Sequence, residues 1–225
     1  MAGIKCHVID GLVGSGKSTL IRRLSLSDYR NRYVFVQEPV HNWLESPLLL
    51  REQLAGNFRH YDIFQCVALN DLFAALVRGL RSCIESNKSH LIIERHPFTT
   101  VKIFSCLKPV SKTHFEENSE LLSIYKDNLC QTYKRLLVDN LFTGLLHNND
   151  WIHSYTIINT SKSTALKRIV ERGRECEVGT IINGSYPMND VIQNQLDKIP
   201  NHISPIVANY TSSDTDINWC YNTLL

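Results

Sequence analysis

The stretch GLVGSGKST, residues 11–19, follows the apolar run IKCHVID of residues 4–10 and decides the fold. Its spacing, G-x-x-x-x-G-K-S, predicts a loop whose backbone N–H groups converge on an anion, because glycines keep side chains out of the way. Those glycines are Gly11, Gly14 and Gly16. A helix that begins after the loop would direct its positive N-terminal end at the same point. The stretch therefore predicts a phosphate-binding loop between a strand and a helix.

The polar residues of this loop complete the prediction. Lys17 would reach the β- and γ-phosphates of a nucleotide, and the Ser18 hydroxyl would help hold Mg²⁺. The alternative is a glycine-rich turn that binds nothing, but the pattern should arise by accident only on the order of once per hundred chains of this length. We therefore predict that ATP binds the loop through Gly11, Gly14, Ser15, Gly16, Lys17, Ser18 and Thr19.

Length and composition limit the class of protein. The 225 residues contain no Pro/Ser-rich linker, so we predict a single α/β domain over residues 1–225. A net charge of +2 favours neither nucleic acid nor an anionic membrane as a partner. The seven scattered cysteines fit reduced thiols better than a disulfide framework or a zinc site. With a strand starting almost at Met1 and no bilayer-length apolar run, we expect a cytoplasmic protein.

Short β-rich runs alternate with segments of helical spacing. The runs are residues 4–9, 33–36, 91–93, 155–158 and, less clearly, 206–208. Apolar residues recur at intervals of three and four in residues 64–83 and 121–136, which predicts amphipathic helices. This alternation predicts a five-stranded parallel sheet with helices on both faces. Ligands of such sheets bind beyond the carboxyl ends of the strands, so the residues that follow each run are candidates for chemistry.

Acids and an arginine follow the second and third runs. Glu38, in QEPVHNW, would orient or deprotonate a hydroxyl that attacks a γ-phosphate. Glu94 would support the metal, and Arg95 would bridge Glu38 and the transferred phosphate. The alternatives are a solvated loop acid for Glu38, a core aromatic for Trp43, and a structural ion pair between neighbouring loops.

The segment STALKRIVERGRECE, residues 163–177, predicts a helix with Ser163 as its N-cap. It carries three arginines, Arg168, Arg172 and Arg174. The first two are four residues apart, and their repulsion costs about 0.2–0.5 kcal/mol in an isolated helix unless an anion lies between them. A solvated face with ion pairs is the alternative. We interpret residues 168–179, loosened by Gly173 and Gly179, as a lid that closes over ATP.

In their order along the chain these motifs resemble the deoxyribonucleoside kinases, a family that includes deoxycytidine and deoxyguanosine kinases, mitochondrial thymidine kinase and a multisubstrate insect enzyme. The resemblance rests on GLVGSGKST, EPVHNW, the FQ of YDIFQCVAL, ERHPFTTVKIF and LKRIVERGRECE, within residues 11–177. It implies a P-loop kinase fold with a helical lid, Mg²⁺ as cofactor, a homodimer, and ATP-dependent phosphorylation of a deoxynucleoside 5′-hydroxyl.

The resemblance also implies roles for single residues. The catalytic set is Glu38 as base for the 5′-hydroxyl, Arg95 as its partner, and Lys17. Ser18 and Glu94 serve the metal, and the three lid arginines contact phosphates. The substrate-binding set is Glu38, Trp43, Gln65, Arg95, Thr100, Phe104 and Glu177. In that set Gln65 hydrogen-bonds the base, Trp43 and Phe104 line it, and Glu177 takes the 3′-hydroxyl.

Some positions depart from the family pattern. Leu72 and Thr100 stand where relatives of deoxycytidine kinase carry an arginine and an aspartate, so the base pocket should be less polar. We therefore expect pyrimidines to be preferred, with thymidine first and deoxycytidine second. His96 replaces a serine, either as a loop histidine without a role or as a further hydrogen bond near the phosphates. For Phe64 we favour plain core packing.

Two other functions share part of this pattern. A nucleoside monophosphate kinase of the thymidylate type shares the loop and the sheet, but it needs an extra cation near Glu38, and EPVHNW offers none. A nucleotide-dependent switch or binding module would leave Gln65, Trp43 and Phe104 without a task.

Overall fold

Five parallel strands form the centre of the computed structural model, which describes residues 4–45, 61–97, 152–174 and 206–211. The strands are β1 (Lys5–Gly11), β2 (Tyr33–Val36), β3 (His90–Glu94), β4 (Ile152–Asn159) and β5 (Ile206–Thr211). They lie in the order β2-β3-β1-β4-β5, and every neighbouring pair is parallel. The five predicted strands are confirmed, although β4 begins earlier than expected.

In the part of the chain that the structure describes, helices follow β1, β2 and β4. They are α1 (Lys17–Ser25), a short 3₁₀ helix (Asp28–Asn31), α2 (Val40–Glu45), α3 (Tyr61–Glu85) and α4 (Lys162–Arg172). The helix predicted over residues 64–83 lies within α3, whereas the one predicted over residues 121–136 lies outside the described residues. Within the described ranges, none of the helices combines the length and the apolar character needed to cross a bilayer.

Both faces of the sheet are covered by helices. Successive side chains of a strand point to opposite faces of the sheet, so Leu91 and Ile92 of β3 lie on different faces. Ile92 lies in one buried cluster with Leu20 and Ile21 of α1. On the other face α3 approaches so closely that a Cβ atom on Gly79 would lie 2.8 Å from Leu91 Cδ1. This two-sided packing is the predicted α/β arrangement of a P-loop kinase fold.

The N-terminus of α4 corrects one prediction. The cap is Ser161, whose hydroxyl accepts a hydrogen bond from Thr164 N at 3.2 Å, and not Ser163. Both serines have cap chemistry, so composition alone does not choose between them. The choice follows from β4, which ends at Asn159 and turns directly into the helix.

The C-terminus of α4 corrects a second prediction. The helix ends at Arg172, and Gly173 is its C-cap, in the left-handed region with φ of 67°. Glycine reaches this conformation without a steric penalty, and helices commonly stop there. Arg174 therefore lies beyond the helix, while Arg168 and Arg172 lie on it.

The strand register brings the candidate chemistry to one edge of the sheet. Ile9 of β1 pairs with Glu94 of β3, and the N–H of Arg95 donates to Ile9 O over 3.0 Å, which extends the ladder by one residue. The phosphate loop starts at the same end of β1, and the segment with Glu38 leaves the same end of β2. The residues that follow β1, β2 and β3 therefore meet where parallel sheets bind ligands.

Candidate active site

The loop after β1 needs glycine for steric reasons. Gly14 and Gly16 have φ angles of 80° and 99°, in the left-handed region. A Cβ atom on Gly14 would also lie 2.6 Å from Ala165 O, a backbone atom of α4 that cannot easily move. Gly16 is the N-cap of α1, so the free N–H groups of that helix face the loop. The loop thus has the open backbone and the helix terminus that an anion requires.

Lys17 is held inside the loop. Its Nζ donates to Gly11 O at 3.1 Å and to Leu12 O at 2.9 Å, and the side chain is buried. Burial lowers the pKa of Lys17, and the nearby Arg95 lowers it further, while nearby carboxylates oppose both effects. Two carbonyls are weak partners for a buried ammonium, so a phosphate that reached this position would be a stronger one.

Glu94 connects the phosphate loop to the segment after β2. Its Oε1 accepts from Ser18 Oγ at 2.7 Å, and its Oε2 accepts from the backbone N–H of Glu38 at 3.3 Å. The carboxylate is buried, while Ser18 is exposed at the start of α1. Hydroxyl and carboxylate oxygens are the ligands that Mg²⁺ prefers, usually alongside substrate phosphates. The donor set therefore fits a Mg²⁺ ion carried in with a nucleotide.

A buried ion pair joins the third strand to the second. Arg95 Nη1 donates to Glu38 Oε1 over 2.8 Å, and Nη2 lies 3.4 Å from Gly11 O. Burial raises the pKa of Glu38, and Arg95 opposes that rise. Burial acts to lower the pKa of Arg95, but Glu38 and Asp10 raise it above its ordinary value. Arg95 adopts φ of 55°, a conformation that costs a non-glycine residue about 1–3 kcal/mol and clusters at functional sites.

Asp10 and Tyr155 also belong to this network, and neither is among the predicted site residues. Asp10 Oδ1 accepts from Gly11 N at 2.8 Å and lies 3.5 Å from Arg95 Nε. Its Oδ2 accepts from Tyr155 OH over 2.6 Å. The signal for Asp10 was in the sequence, because it is an acid at the end of an otherwise apolar run that leads into the loop. Tyr155 gave no such signal, since a tyrosine in a β-rich run is ordinary.

Helix α4 and the residue before its cap contact the phosphate loop directly. Arg168 Nη1 donates to Ser15 O over 3.1 Å, and Thr160 Oγ1 donates to the same carbonyl over 3.2 Å. Arg172 is exposed on α4, and Arg174 is half-buried after Gly173. Of the three predicted lid arginines, the structure brings Arg168 to the loop.

The predicted base-lining tryptophan lies between two helices. Trp43 of α2 meets Phe64 of α3 edge-on at 5.5 Å between ring centroids, and Ala68 and Leu72 complete a buried cluster. Trp43 Nε1 donates to Asp71 Oδ2 at 2.9 Å. Core packing of Phe64 is confirmed, as it is only 4% exposed. Leu72 faces this cluster, so the position that carries an arginine in relatives of deoxycytidine kinase is apolar and packed here.

The other residues singled out from the sequence are Gln65, Thr19, His96, Thr100, Phe104 and Glu177. Gln65 lies on α3 directly after Phe64. Thr19 is exposed on α1, one residue beyond Ser18. His96 is completely buried, and burial lowers its pKa to about 3, so it is a neutral interior histidine. Thr100, Phe104 and Glu177 lie outside the described residues.

Comparison with known proteins gives one family and two viral relatives. The family model described as deoxynucleoside kinase matches residues 7–189, most of the chain. "Putative kinase protein 143R" of Invertebrate iridescent virus 6 is 26% identical over 169 residues, 75% of this chain and 70% of the viral protein. "Putative kinase protein 029R" of Invertebrate iridescent virus 3 is 27% identical with the same coverage.

Proposed function

The chain belongs to the deoxynucleoside kinase family, and we propose that it transfers the γ-phosphoryl group of ATP to the 5′-hydroxyl of a pyrimidine deoxynucleoside. Family membership makes the protein a phosphotransferase. The proposal specifies ATP as the phosphoryl donor. It specifies thymidine as the preferred acceptor, with deoxycytidine second. A homodimer is proposed on the family resemblance alone.

One observation carries the proposal. Lys17 and Arg95 share the carbonyl of Gly11, with Nζ at 3.1 Å and Nη2 at 3.4 Å, while Arg95 also holds Glu38. The cation suited to the γ-phosphate and the carboxylate suited to an acceptor hydroxyl are therefore linked through a single arginine. A hydroxyl bound at Glu38 would stand beside the phosphoryl group that it attacks, which is the requirement for in-line transfer.

The chemical step depends mainly on positioning and charge. The transition state of phosphoryl transfer is loose, with negative charge on the transferred group, so Lys17 and Arg168 would stabilise it. Glu38 would accept the hydroxyl proton or align the hydroxyl, and a raised pKa makes its carboxylate a stronger base. Mg²⁺, held through Ser18 and Glu94 together with the phosphates, would neutralise charge on the transferred group.

The cluster around Trp43 supports a preference for pyrimidines. Leu72 is 1% exposed in that cluster, where an arginine would have added a charge. The amide of Gln65 offers a donor and an acceptor side by side and can be turned to suit thymine or cytosine. An apolar far edge leaves room for the thymine methyl group, so purines should be poor substrates.

The monophosphate-kinase alternative is disfavoured by the charges beside Glu38. Such an enzyme must neutralise the phosphate of its acceptor, but the nearest described cation, Arg95, already faces the carboxylates of Glu38 and Asp10. The switch alternative predicts ATP consumption that does not respond to nucleosides.

One assay separates these functions. The protein is incubated with labelled ATP and Mg²⁺ in the presence of each natural deoxynucleoside or of thymidine monophosphate, and product is measured for each acceptor. Product from thymidine but not from its monophosphate supports the proposal. Faster product from deoxyguanosine or deoxyadenosine contradicts the pyrimidine preference, and nucleoside-independent hydrolysis contradicts the kinase assignment.

A further inference from the structure

A continuous chain of contacts runs from β4 to the candidate catalytic carboxylate. Tyr155 OH donates to Asp10 Oδ2 over 2.6 Å, and Asp10 Oδ1 lies 3.5 Å from Arg95 Nε. Arg95 Nη1 then donates to Glu38 Oε1 over 2.8 Å. Asp10 and Tyr155 are 1% and 0% exposed, so water does not compete for these contacts. The four side chains come from β4, β1, the end of β3 and the segment after β2.

Two carboxylates flank one guanidinium, Glu38 through a hydrogen bond and Asp10 through an ion pair. Arg95 presents its Nε edge to Asp10 and its Nη1 atom to Glu38. A guanidinium is planar and rigid, so partners on two different edges set its orientation, whereas one partner would leave rotation about the contact. Asp10 therefore determines where Arg95 points its remaining donors.

Asp10 also ties that orientation to the phosphate loop. The same Oδ1 atom that lies near Arg95 accepts from the backbone N–H of Gly11 at 2.8 Å, and Gly11 O faces Arg95 Nη2 at 3.4 Å. Tyr155 holds the second oxygen of Asp10, which prevents the carboxylate from rotating away from these two partners. The position of the loop and the position of Arg95 are thus set by one carboxylate.

We propose that Asp10 and Tyr155 are positioning residues that act through Arg95 to hold the Glu38 carboxylate in the geometry needed for transfer. This inference rests on the proposed function, because it gives Glu38 the acceptor hydroxyl. A displacement of about 1 Å at a reacting group can cost about 10²-fold in rate, so a residue that never touches substrate can control turnover in this way.

Substrate binding should be affected little by either residue. In Asp10→Asn the amide oxygen can still accept from Gly11 N, Lys17 keeps its two carbonyl partners, and the cluster around Trp43 does not include Asp10. The predicted signature is therefore a loss in kcat, expressed per folded molecule, with nearly unchanged KM for both substrates. Because an unfolded fraction would also lower the apparent kcat at constant KM, the folded fraction of each variant is measured and used to correct kcat.

The test compares Asp10→Asn, Tyr155→Phe and the double variant in the full-length chain, assayed with thymidine and MgATP. Asp10→Asn should lower kcat about 10- to 100-fold with both KM values within about two-fold of wild type. Tyr155→Phe should lower kcat less, because Asp10 keeps its charge. The double variant should be no slower than Asp10→Asn, because the hydroxyl acts only through the carboxylate.

Tyr33→Phe is the matched control. Tyr33 is also buried in the sheet, on β2 at the end away from the phosphate loop, and it should keep wild-type kcat. Thermal unfolding of every variant checks the fold. If Asp10→Asn does not fold, Tyr155→Phe decides: a lower kcat at constant KM supports the inference, and wild-type kcat overturns it.

Two failures are distinguishable. A wild-type chain that phosphorylates no nucleoside refutes the proposed function and the positioning role with it. An active wild-type chain whose Asp10→Asn variant keeps full kcat, or whose double variant loses the product of both single effects, refutes the positioning role alone.

Discussion

The guanidinium of Arg168 donates to the backbone carbonyl of Ser15 over 3.1 Å, so helix α4 and the phosphate loop are in direct contact. The same carbonyl accepts from Thr160, which precedes the cap of α4. The Arg168 guanidinium therefore places a cation at the rim of the phosphate loop.

Replacement of Arg168 by alanine should lower the catalytic efficiency with ATP. A hydrogen bond from a charged group contributes about 1.5–3 kcal/mol, so kcat/KM for ATP should fall about 10- to 100-fold. Steady-state kinetics at saturating nucleoside measure the effect. Lys167→Ala is the matched control, because Lys167 is 77% exposed on the same helix and only pairs with Glu171 at 3.8 Å. Equal losses in both variants would contradict a phosphate-contacting role for Arg168.

Replacement of Glu38 by glutamine should separate chemistry from binding. General-base catalysis contributes about 10²- to 10⁴-fold, so kcat should fall within that range while nucleoside affinity stays close to wild type. Rapid-quench kinetics and calorimetric titration with thymidine measure the two quantities. Glu85→Gln, at the exposed end of α3, is the control for a lost carboxylate. Nearly full turnover with chemistry rate-limiting would remove the role assigned to Glu38.

Gly14→Ala should abolish tight nucleotide binding because the added Cβ meets Ala165 O at 2.6 Å. Titration with a fluorescent ATP analogue should give a dissociation constant at least about 10-fold higher, the effect of about 1.4 kcal/mol. Gly173→Ala is the control for stability, since its φ is also positive but nothing lies within 4 Å of the added atom. The control should lose about 1–2 kcal/mol of unfolding free energy from the left-handed backbone, and Gly14→Ala should lose more. Equal losses of unfolding free energy in the two variants would contradict a clash between the added Cβ atom and Ala165 O.

Two buried thiols should make stability fall at alkaline pH. Burial raises the pKa of Cys6 to about 12 and that of Cys83 to about 11. Thiols of the unfolded chain lose their protons near pH 8.5, so above that pH the unfolded state binds fewer protons and unfolding becomes easier until the folded pKa is reached. In Cys6→Ala the slope of unfolding free energy against pH should be shallower by up to about 1.36 kcal/mol per pH unit between about pH 9 and 11. Denaturant titrations at several pH values measure it, and parallel curves for the variant and wild type would contradict it.

The strands and the phosphate loop could be predicted because their causes are local. The β-rich runs and the glycine spacing are visible within a few residues of sequence, and the register then brought Glu94 and Arg95 to the predicted edge. The cap of α4 could not be chosen in this way. Ser161 and Ser163 are chemically equal, and the end of β4, a tertiary feature, decides between them.

The partners of Asp10 could not be predicted for a different reason. Tyr155 is 145 positions away along the chain, and nothing in either local sequence records the contact. The burial of His96 is similar, since its position directly after Arg95 suggested a loop residue and the packed sheet edge makes it an interior one. The local spacing of residues does not show which side chains become buried in the fold, or which residues distant along the chain form hydrogen bonds with one another.

The aromatic cluster and the ion pairs lie on different secondary-structure elements. Trp43, Phe64 and Leu72 are carried by α2 and α3, whereas Glu94 and Arg95 continue a central strand. If this cluster faces the acceptor base, as proposed, exchanges on α3 would alter acceptor choice on an element that carries neither Glu94 nor Arg95. Substitutions confined to the helix residues of the aromatic cluster could therefore be used to engineer activity towards unnatural nucleosides.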